Sequence, residues 1–284
     1  MSSVADILSA VRAGELSVKK AERLLKLDAV AVVGDFARLD FTRFLRRGVP
    51  EIVYAQNKSV LQIISIVKKL VKTKIGRSST DVPIILSRVR PDQSKEILKN
   101  IAGYDRLNGR LRIRYFPEAN IIAIVSRDYK LVKKRRGRVA LIPAGTSDLP
   151  ALNEAEVVLN LLGFTTLRFN DVGVAGLHRL LQPLQRIVKF DPDAIIVAAG
   201  MEGALPTVVA GLSSVPVIGL PTSVGYGYGK GGEAALMSML QACSLGVSVV
   251  NIDAGVAAGV VASLISRRAH SHEKSLRQSR PSRK

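Results

Sequence analysis

The stretch RVALIPAGTSDLPALNEAEVVLNLL, residues 138–162, reads as strand, glycine turn and helix in immediate succession. Arg138–Ile142 reads as a strand, apolar after its first residue, Gly145–Pro150 holds turn residues, and Ala151–Leu162 has the length and spacing of a helix. The pattern then repeats. Strands are expected at Thr165–Asn170, Ala194–Ala198, Val215–Leu220 and Val247–Ile252. Helices are expected between and after them, at Val174–Lys189, Pro206–Leu212, Gly232–Cys243 and Ala254–Arg268. Most of these strands are apolar throughout, so both of their faces need cover. Alternation with helices then predicts a parallel sheet between two helical layers, and right-handed crossovers make it doubly wound, an α/β fold of three layers.

Upstream the pattern is less regular. Residues 2–26 are helix-like, with strands expected at Glu51–Tyr54, Val82–Ser87, Arg112–Phe116 and Ile121–Val125. Helices are expected at Ser59–Val71 and Pro91–Ile101. This describes a smaller α/β or α+β domain over residues 1–134, ahead of the sheet domain at 135–268. Residues 269–284 are basic and nearly free of apolar side chains, and are expected to form a disordered tail.

The 284 residues are 47% hydrophobic, enough for a substantial core, yet no apolar run reaches the ~18 residues of a membrane span. Asp6, Glu15 and Glu22 interrupt the first segment, which rules against a signal peptide. With a single thiol, Cys243, no internal disulfide can form, and a cytoplasmic setting is expected. Net charge is +19, and the runs 127–138 and 267–284 together carry +12 of it. Such runs read as solvated surface or as a nucleic-acid contact. Aromatics are only 5% and Trp is absent, so stacking recognition of single strands is disfavoured.

Open parallel sheets bind ligands where strands run into helices. Here those loops are 144–150, 170–178, 199–206, 221–232 and 251–255, and each combines glycine with polar side chains. Gly145, Thr146, Ser147 and Asp148 precede a helix and suit a phosphate or carboxylate, although Ser147 or Asp148 is also a plain N-cap. The loop lacks the Gly-Lys-Ser/Thr ending of a Walker A motif and is not a dinucleotide fingerprint. Glu202 stands between Gly200 and Gly203, where enclosure would raise its pKa toward general-base range. Five glycines in Gly225–Gly232 allow close backbone approach or lid motion. His178 is the only histidine outside the tail. Cys243 lies in the apolar stretch Leu236–Gly246 and is either a buried small hydrophobe or a reactive nucleophile.

Several of these segments together carry a resemblance. Gly145-Thr-Ser-Asp148, Gly176-Leu-His-Arg179, Ala199-Gly-Met-Glu-Gly-Ala-Leu-Pro206 and Ala254-Gly-Val-Ala-Ala-Gly259 resemble the purine-biosynthetic carboxylases of PurE type. Pro221-Thr-Ser-Val-Gly-Tyr-Gly227, Cys243 ahead of Gly246-Val-Ser-Val-Val-Asn-Ile-Asp253, and Gly48-Val-Pro-Glu-Ile-Val-Tyr54 are similar to the LarB family of nickel pincer cofactor biosynthesis. The resemblance implies a PurE- or flavodoxin-like catalytic domain. It implies carboxylation of C5 on the pyridinium ring of nicotinic acid adenine dinucleotide, using CO2 or bicarbonate, with cleavage of the phosphoanhydride. No organic cofactor is implied, and a homo-oligomer, octameric in PurE-type proteins, is.

The same resemblance points to Cys243 as the residue that adds to the ring, with Glu202 as base and His178 and Asp148 in acid–base or binding roles. Substrate contacts are expected at Gly145, Thr146, Ser147, Asp171, Gly200, Met201, Gly203, Ala204, Thr222, Ser223, Asn251 and Asp253. Asp40, Arg43 and Arg46 either meet the adenylate or pyrophosphate end or form a surface salt-bridge cluster. Asp148, Asp171 and Asp253 are carboxylates of the kind that hold Mg2+ beside phosphates, and no His/Cys set suggests zinc. The rival readings are a PurE-type enzyme acting on an aminoimidazole ribotide and a basic nucleic-acid binder.

Overall fold

The computed structural model describes residues 4–25, 30–40, 43–74, 82–109, 111–127, 129 and 137–278. The chain divides into two compact units, Met1–Lys130 and Leu131–Lys284, where the sequence reading set the boundary at 134. Most of the basic run 127–138 lies outside the described residues.

The first unit opens with α1 (Val4–Arg12) and α2 (Val18–Leu25), which share a small core of Ile7, Ala10, Leu16 and Ala21. An antiparallel hairpin follows, β1 (Val30–Val33) and β2 (Ala37–Asp40), which the sequence reading did not foresee. Gly34-Asp35 between two short runs was its signal. After α3 (Arg43–Arg47) come β3 (Ile52–Tyr54), α4 (Val60–Lys74), β4 (Ile84–Ser87), α5 (Pro91–Asn108), β5 (Leu111–Phe116) and β6 (Ile121–Ser126). The sheet order is β3-β4-β6-β5, with only β3 and β4 parallel. Ile63, Ile66, Val67 and Leu70 recur at helical spacing on α4 and pack with Ile84, Leu86, Ile97, Ile122 and Ile124. Each such side chain contributes about 1.5–3 kcal/mol by leaving water.

The second unit carries β7 (Arg138–Pro143), α6 (Leu149–Leu161), β8 (Thr165–Arg168), α7 (His178–Phe190), β9 (Ala194–Ala199), α8 (Leu205–Gly211), β10 (Val217–Pro221), α9 (Glu233–Leu240), β11 (Val247–Val249) and α10 (Gly255–Gln278). All five strands are parallel, in the order β11-β10-β9-β7-β8. This is the doubly wound sheet that the apolar strands required, in the flavodoxin-like order. Alternate residues Ala140, Ile142, Ile195, Val197 and Val217 pack with α7, α8 and α9. On the other side α6 and α10 lie in close contact with each other. A Cβ on Gly255 would fall 1.9 Å from the Ala151 carbonyl oxygen, and one on Gly259 would fall 2.9 Å from that of Ala155. The glycines of the 254–259 motif therefore serve helix packing.

Several boundaries differ from the sequence reading, three of them with consequences for where residues lie. The helix expected over 232–243 ends at Leu240, which leaves Cys243 in the following loop. The last strand ends at Val249 rather than Ile252. The tail expected to be disordered from 269 is helical as far as Gln278. No glycine or proline stops the helix between Ser263 and Pro281. Ser266 and His270, four residues apart on one helix face, both reach Asp193 Oδ2, at 2.6 and 3.2 Å. Among the described residues no helix is long and apolar enough to cross a membrane.

Candidate active site

The strand order reverses between β7 and β9, because β8 lies on one side of β7 while β9 and its successors lie on the other. At such a switch point the loops leaving the two strands diverge and leave a crevice. A cavity of about 630 Å³ opens there, a volume suited to a small-molecule ligand. Its walls come from the loop after β7 (Ala144, Gly145, Ser147, Asp148), the loop after β9 (Ala199–Glu202, Ala204, Leu205), and Gly173–Ala175 with Arg179. Val224, Gly225 and Tyr226 complete it from the loop after β10.

Asp148 is the buried polar centre, only 5% exposed. Its Oδ2 accepts the Gly145 N–H at 2.8 Å and its Oδ1 accepts the Thr222 hydroxyl at 2.5 Å. Burial pushes the Asp148 carboxyl above the ordinary carboxylate range. Hydrogen bonds from Thr222, Gly145 and Gly200 oppose the rise, and the charge of Asp253 adds to it.

The loop bearing Glu202 is held by backbone. Met201 N–H donates to Val224 O at 2.8 Å, and Thr222 N–H donates to Ala199 O at 3.1 Å. Met201 and Gly203 are both left-handed, with φ of 51° and 64°. A Cβ on Gly200 would lie 2.2 Å from the Val224 carbonyl oxygen, and one on Gly203 would lie 2.6 Å from that of Ala235. Two glycines are thus needed to turn this loop tightly and raise Glu202, which is exposed, at the cavity wall.

The cavity brings together Gly145, Ser147, Asp148, Gly200, Met201, Glu202 and Ala204 of the residues singled out from sequence. Thr222 stands behind them as the support of Asp148, and Gly203 as the hinge of the turn. Thr146 is exposed beside the first loop and outside the lining. His178 begins α7, exposed, and is likewise not in the lining. Its neighbour Arg179 is, held by Asp171 at 3.1 Å, and sequence reasoning passed over it although it ends the Gly-Leu-His-Arg motif. Ser223 N–H donates to Asp253 Oδ1 at 2.9 Å, and Asn251 accepts its own neighbour's Ile252 N–H at 2.9 Å.

Among the described residues no three His, Cys, Asp or Glu side chains gather as a metal site. Asp148, Asp171 and Asp253 each serve a different partner on a different loop. The three carboxylates therefore do not converge as one Mg2+ site. In the first unit Asp40 ends β2, and Arg43 pairs with Glu51 at 3.2 Å, as in a salt-bridge cluster. The side chain of Arg46 lies outside the described residues.

Cys243 is not at the cavity. It is exposed, not buried in the core, and lies at the opposite end of the sheet. α9 starts beside the cavity, where Gly232 packs on Thr222 and Ser223, and runs away from it. The loop 241–246 then rejoins the sheet where Val217 N–H, at the start of β10, donates to Gly246 O at 3.0 Å.

The family comparisons match this architecture in order. Residues 31–126 match the LarB/PurE-like N-terminal domain and residues 138–284 the AIR carboxylase domain. An uncharacterised protein of Methanocaldococcus jannaschii is 38% identical over 266 residues, 93% of this chain and 97% of that protein. The N5-carboxyaminoimidazole ribonucleotide mutase of the same organism is 34% identical over 125 residues, 44% of this chain and 75% of the mutase. With a LarB/PurE-like N-terminal domain ahead of a PurE-like carboxylase domain, the chain belongs to the LarB family.

Proposed function

We propose that the protein carboxylates C5 of the pyridinium ring of nicotinic acid adenine dinucleotide and cleaves its phosphoanhydride, giving pyridinium-3,5-biscarboxylic acid mononucleotide and AMP. The observation that carries this reading is the switch-point cavity, with Glu202 on a glycine-framed turn facing the Gly145–Asp148 loop, in a chain with a LarB-type N-terminal domain.

The chemistry asks for a nucleophile and a base. A pyridinium ring is electron-poor and does not attack CO2. When a thiolate, the role that the resemblance gives to Cys243, adds to a ring carbon, a C–S bond forms and the ring electrons neutralise the nitrogen, leaving an enamine with nucleophilic C5. C5 then bonds to CO2. Glu202 takes the proton from C5, and the electrons left behind, with the nitrogen lone pair, expel the thiolate and restore the aromatic ring. Sulfur suits the task because it adds readily and leaves readily. No net oxidation or reduction occurs. Hydrolysis adds water across the phosphoanhydride, breaking one P–O bond. Arg179, a guanidinium at the cavity wall, would hold a phosphate or carboxylate of the dinucleotide.

A second reading is favoured by the 34% identity to the mutase, namely transfer of a carboxylate on an aminoimidazole ribotide. That ring is already electron-rich and needs no thiol. One assay separates the two. The purified protein is incubated with labelled bicarbonate, Mg2+ and either nicotinic acid adenine dinucleotide or an aminoimidazole ribotide. A labelled mononucleotide with stoichiometric AMP is expected from the dinucleotide alone. Label only in the ribotide would replace this reading with the second.

A further inference from the structure

We propose that the first unit holds an anion site of its own, built by Tyr54, Lys58 and Arg88, which takes a phosphate group. None of these residues lines the cavity of the second unit, and the inference stands apart from the reading of that cavity.

Topology puts the three residues together. β3 and β4 are parallel neighbours with Tyr54 level with Ser87, and Ala55 N–H extends the pairing to Ser87 O at 2.8 Å. Both strands therefore run out at the same end of the sheet, β3 toward α4 and β4 toward α5. That end of a parallel pair is where ligands meet an α/β sheet, and the positive ends of both helix dipoles lie there. Gln93, only 3% exposed, locks the two loops to each other. Its side chain accepts the Arg90 N–H at 3.2 Å and donates to Lys58 O at 3.3 Å.

The charges gathered at this end are alike. The Arg88 guanidinium lies 5.6 Å from the centre of the Tyr54 ring, and Lys58 Nζ lies 5.9 Å from it. Both residues are half-buried, so neither cation belongs to a freely solvated surface. Arg88 Nη1 is 3.5 Å from both the Tyr54 hydroxyl and Gln56 Oε1, the outer limit of a hydrogen bond. Lys58 Nζ donates to Tyr54 O at 2.7 Å, and its other two protons meet no partner among the described residues. The segments 55–59 and 88–92 contain three cations and one acid, and that acid, Asp92, is held by Arg90 at 3.1 Å. Two like charges drawn to one ring repel each other. A phosphate group relieves that repulsion, and its several acceptor oxygens gain charge-assisted hydrogen bonds from both side chains.

The backbone supports the same reading. Asn57 and Arg88, one in each loop, are left-handed, with φ of 63° and 52°. This conformation is costly for any residue with a Cβ and free for glycine. Arginine at position 88 is a strained choice that stability alone does not favour, and such strain concentrates at binding sites.

Equilibrium dialysis of the full-length chain at low ionic strength, with labelled inorganic phosphate, AMP or adenosine, tests the site. Arg179→Ala is the background throughout, so that the guanidinium of the cavity does not contribute. Saturable binding of phosphate and AMP is expected, and none of adenosine. Lys58→Ala/Arg88→Ala should weaken it ~10-fold or more, the loss of hydrogen bonds to a charged group. Arg88→Gly, which relaxes the left-handed backbone, should lose affinity without lowering the melting temperature, and so separates loss of the ligand from loss of the fold. Lys95→Ala/Lys99→Ala removes two exposed charges from α5 and should leave binding unchanged. AMP bound more tightly than phosphate identifies a nucleotide as the source of the group, and equal affinities identify free phosphate; both support the site. Absence of saturable binding, binding that survives Lys58→Ala/Arg88→Ala, an equal loss in Lys95→Ala/Lys99→Ala, or adenosine bound as tightly as AMP would overturn it.

Discussion

The Thr222 hydroxyl donates to Asp148 Oδ1 at 2.5 Å, tying the loop after β10 to the loop after β7 across the end of β9. Both side chains are buried, Thr222 at 1% and Asp148 at 5% exposure, so water does not replace either partner. The link holds the two walls of the cavity at a set separation.

Thr222→Ala should therefore destabilise the second unit by about 1–3 kcal/mol, the cost of leaving a buried acceptor without its donor. Thr222→Ser, which keeps the hydroxyl, should recover most of it. Urea denaturation monitored by tyrosine fluorescence measures both. A Thr222→Ala loss no larger than that of an exposed-site control would remove this link from the account of the site.

Asp148 also gives a pH dependence. Its carboxyl holds a proton above the ordinary carboxylate value in the folded chain, chiefly through burial. In the window just above that ordinary value the folded state binds more protons than the unfolded state, so stability falls as pH rises. Asp148→Asn removes the contribution. The wild-type minus D148N unfolding free energy should decline from about pH 4 upward and level off once both states are ionised. A difference that climbs with pH would mean that the native state favours the carboxylate.

Gly203 and Gly227 make a controlled pair. Both have positive φ, 64° and 59°. A Cβ on Gly203 meets the backbone of Ala235 at 2.6 Å, whereas one on Gly227 meets nothing within 4 Å. Gly227→Ala should cost about 1–2 kcal/mol, the strain of the left-handed backbone alone. Gly203→Ala should cost ~2–4 kcal/mol by adding displacement of α9, and should lower activity because Glu202 rides on the same turn. Equal melting-temperature shifts for the two variants would contradict the steric argument.

Arg179 lines the cavity with Asp171 holding its guanidinium at 3.1 Å. Arg179→Ala should raise KM for nicotinic acid adenine dinucleotide about 10-fold or more, the loss of a hydrogen bond to a charged group. Asp171→Asn should raise it less, because the charge remains and only its positioning is relaxed. An unchanged KM in Arg179→Ala would move the anionic groups of the substrate elsewhere. Folding should be unaffected in either variant, since both side chains are exposed.

Local order decided what could be read along the chain. Ala194–Ala199 and Val217–Pro221 are apolar throughout because they are central strands covered on both sides, and such runs are visible without knowing their neighbours. The Gly200–Gly203 turn was legible for the same reason, since a tight left-handed turn restricts its residues wherever it stands. The family resemblance rested on these loops, and the matched domains lie in the order it implied. The β1–β2 hairpin was missed because its strands are four residues long and carry only a weak alternation.

Tertiary structure decided everything that depends on which parts meet. His178 and Arg179 are adjacent in sequence, but rotation along the helix brings Arg179 to the cavity and leaves His178 outside its lining. Asp148 reads as an N-cap or ligand contact from its own loop, and only the arrival of Thr222 from 74 residues away makes it a buried, hydrogen-bonded carboxyl. Cys243 shows the division most clearly. Its apolar neighbours read as core, because hydrophobicity along a chain does not distinguish a surface turned inward from one turned toward another molecule. Strand order put that surface at the far end of the sheet from the cavity, where the loop 241–246 meets the start of β10.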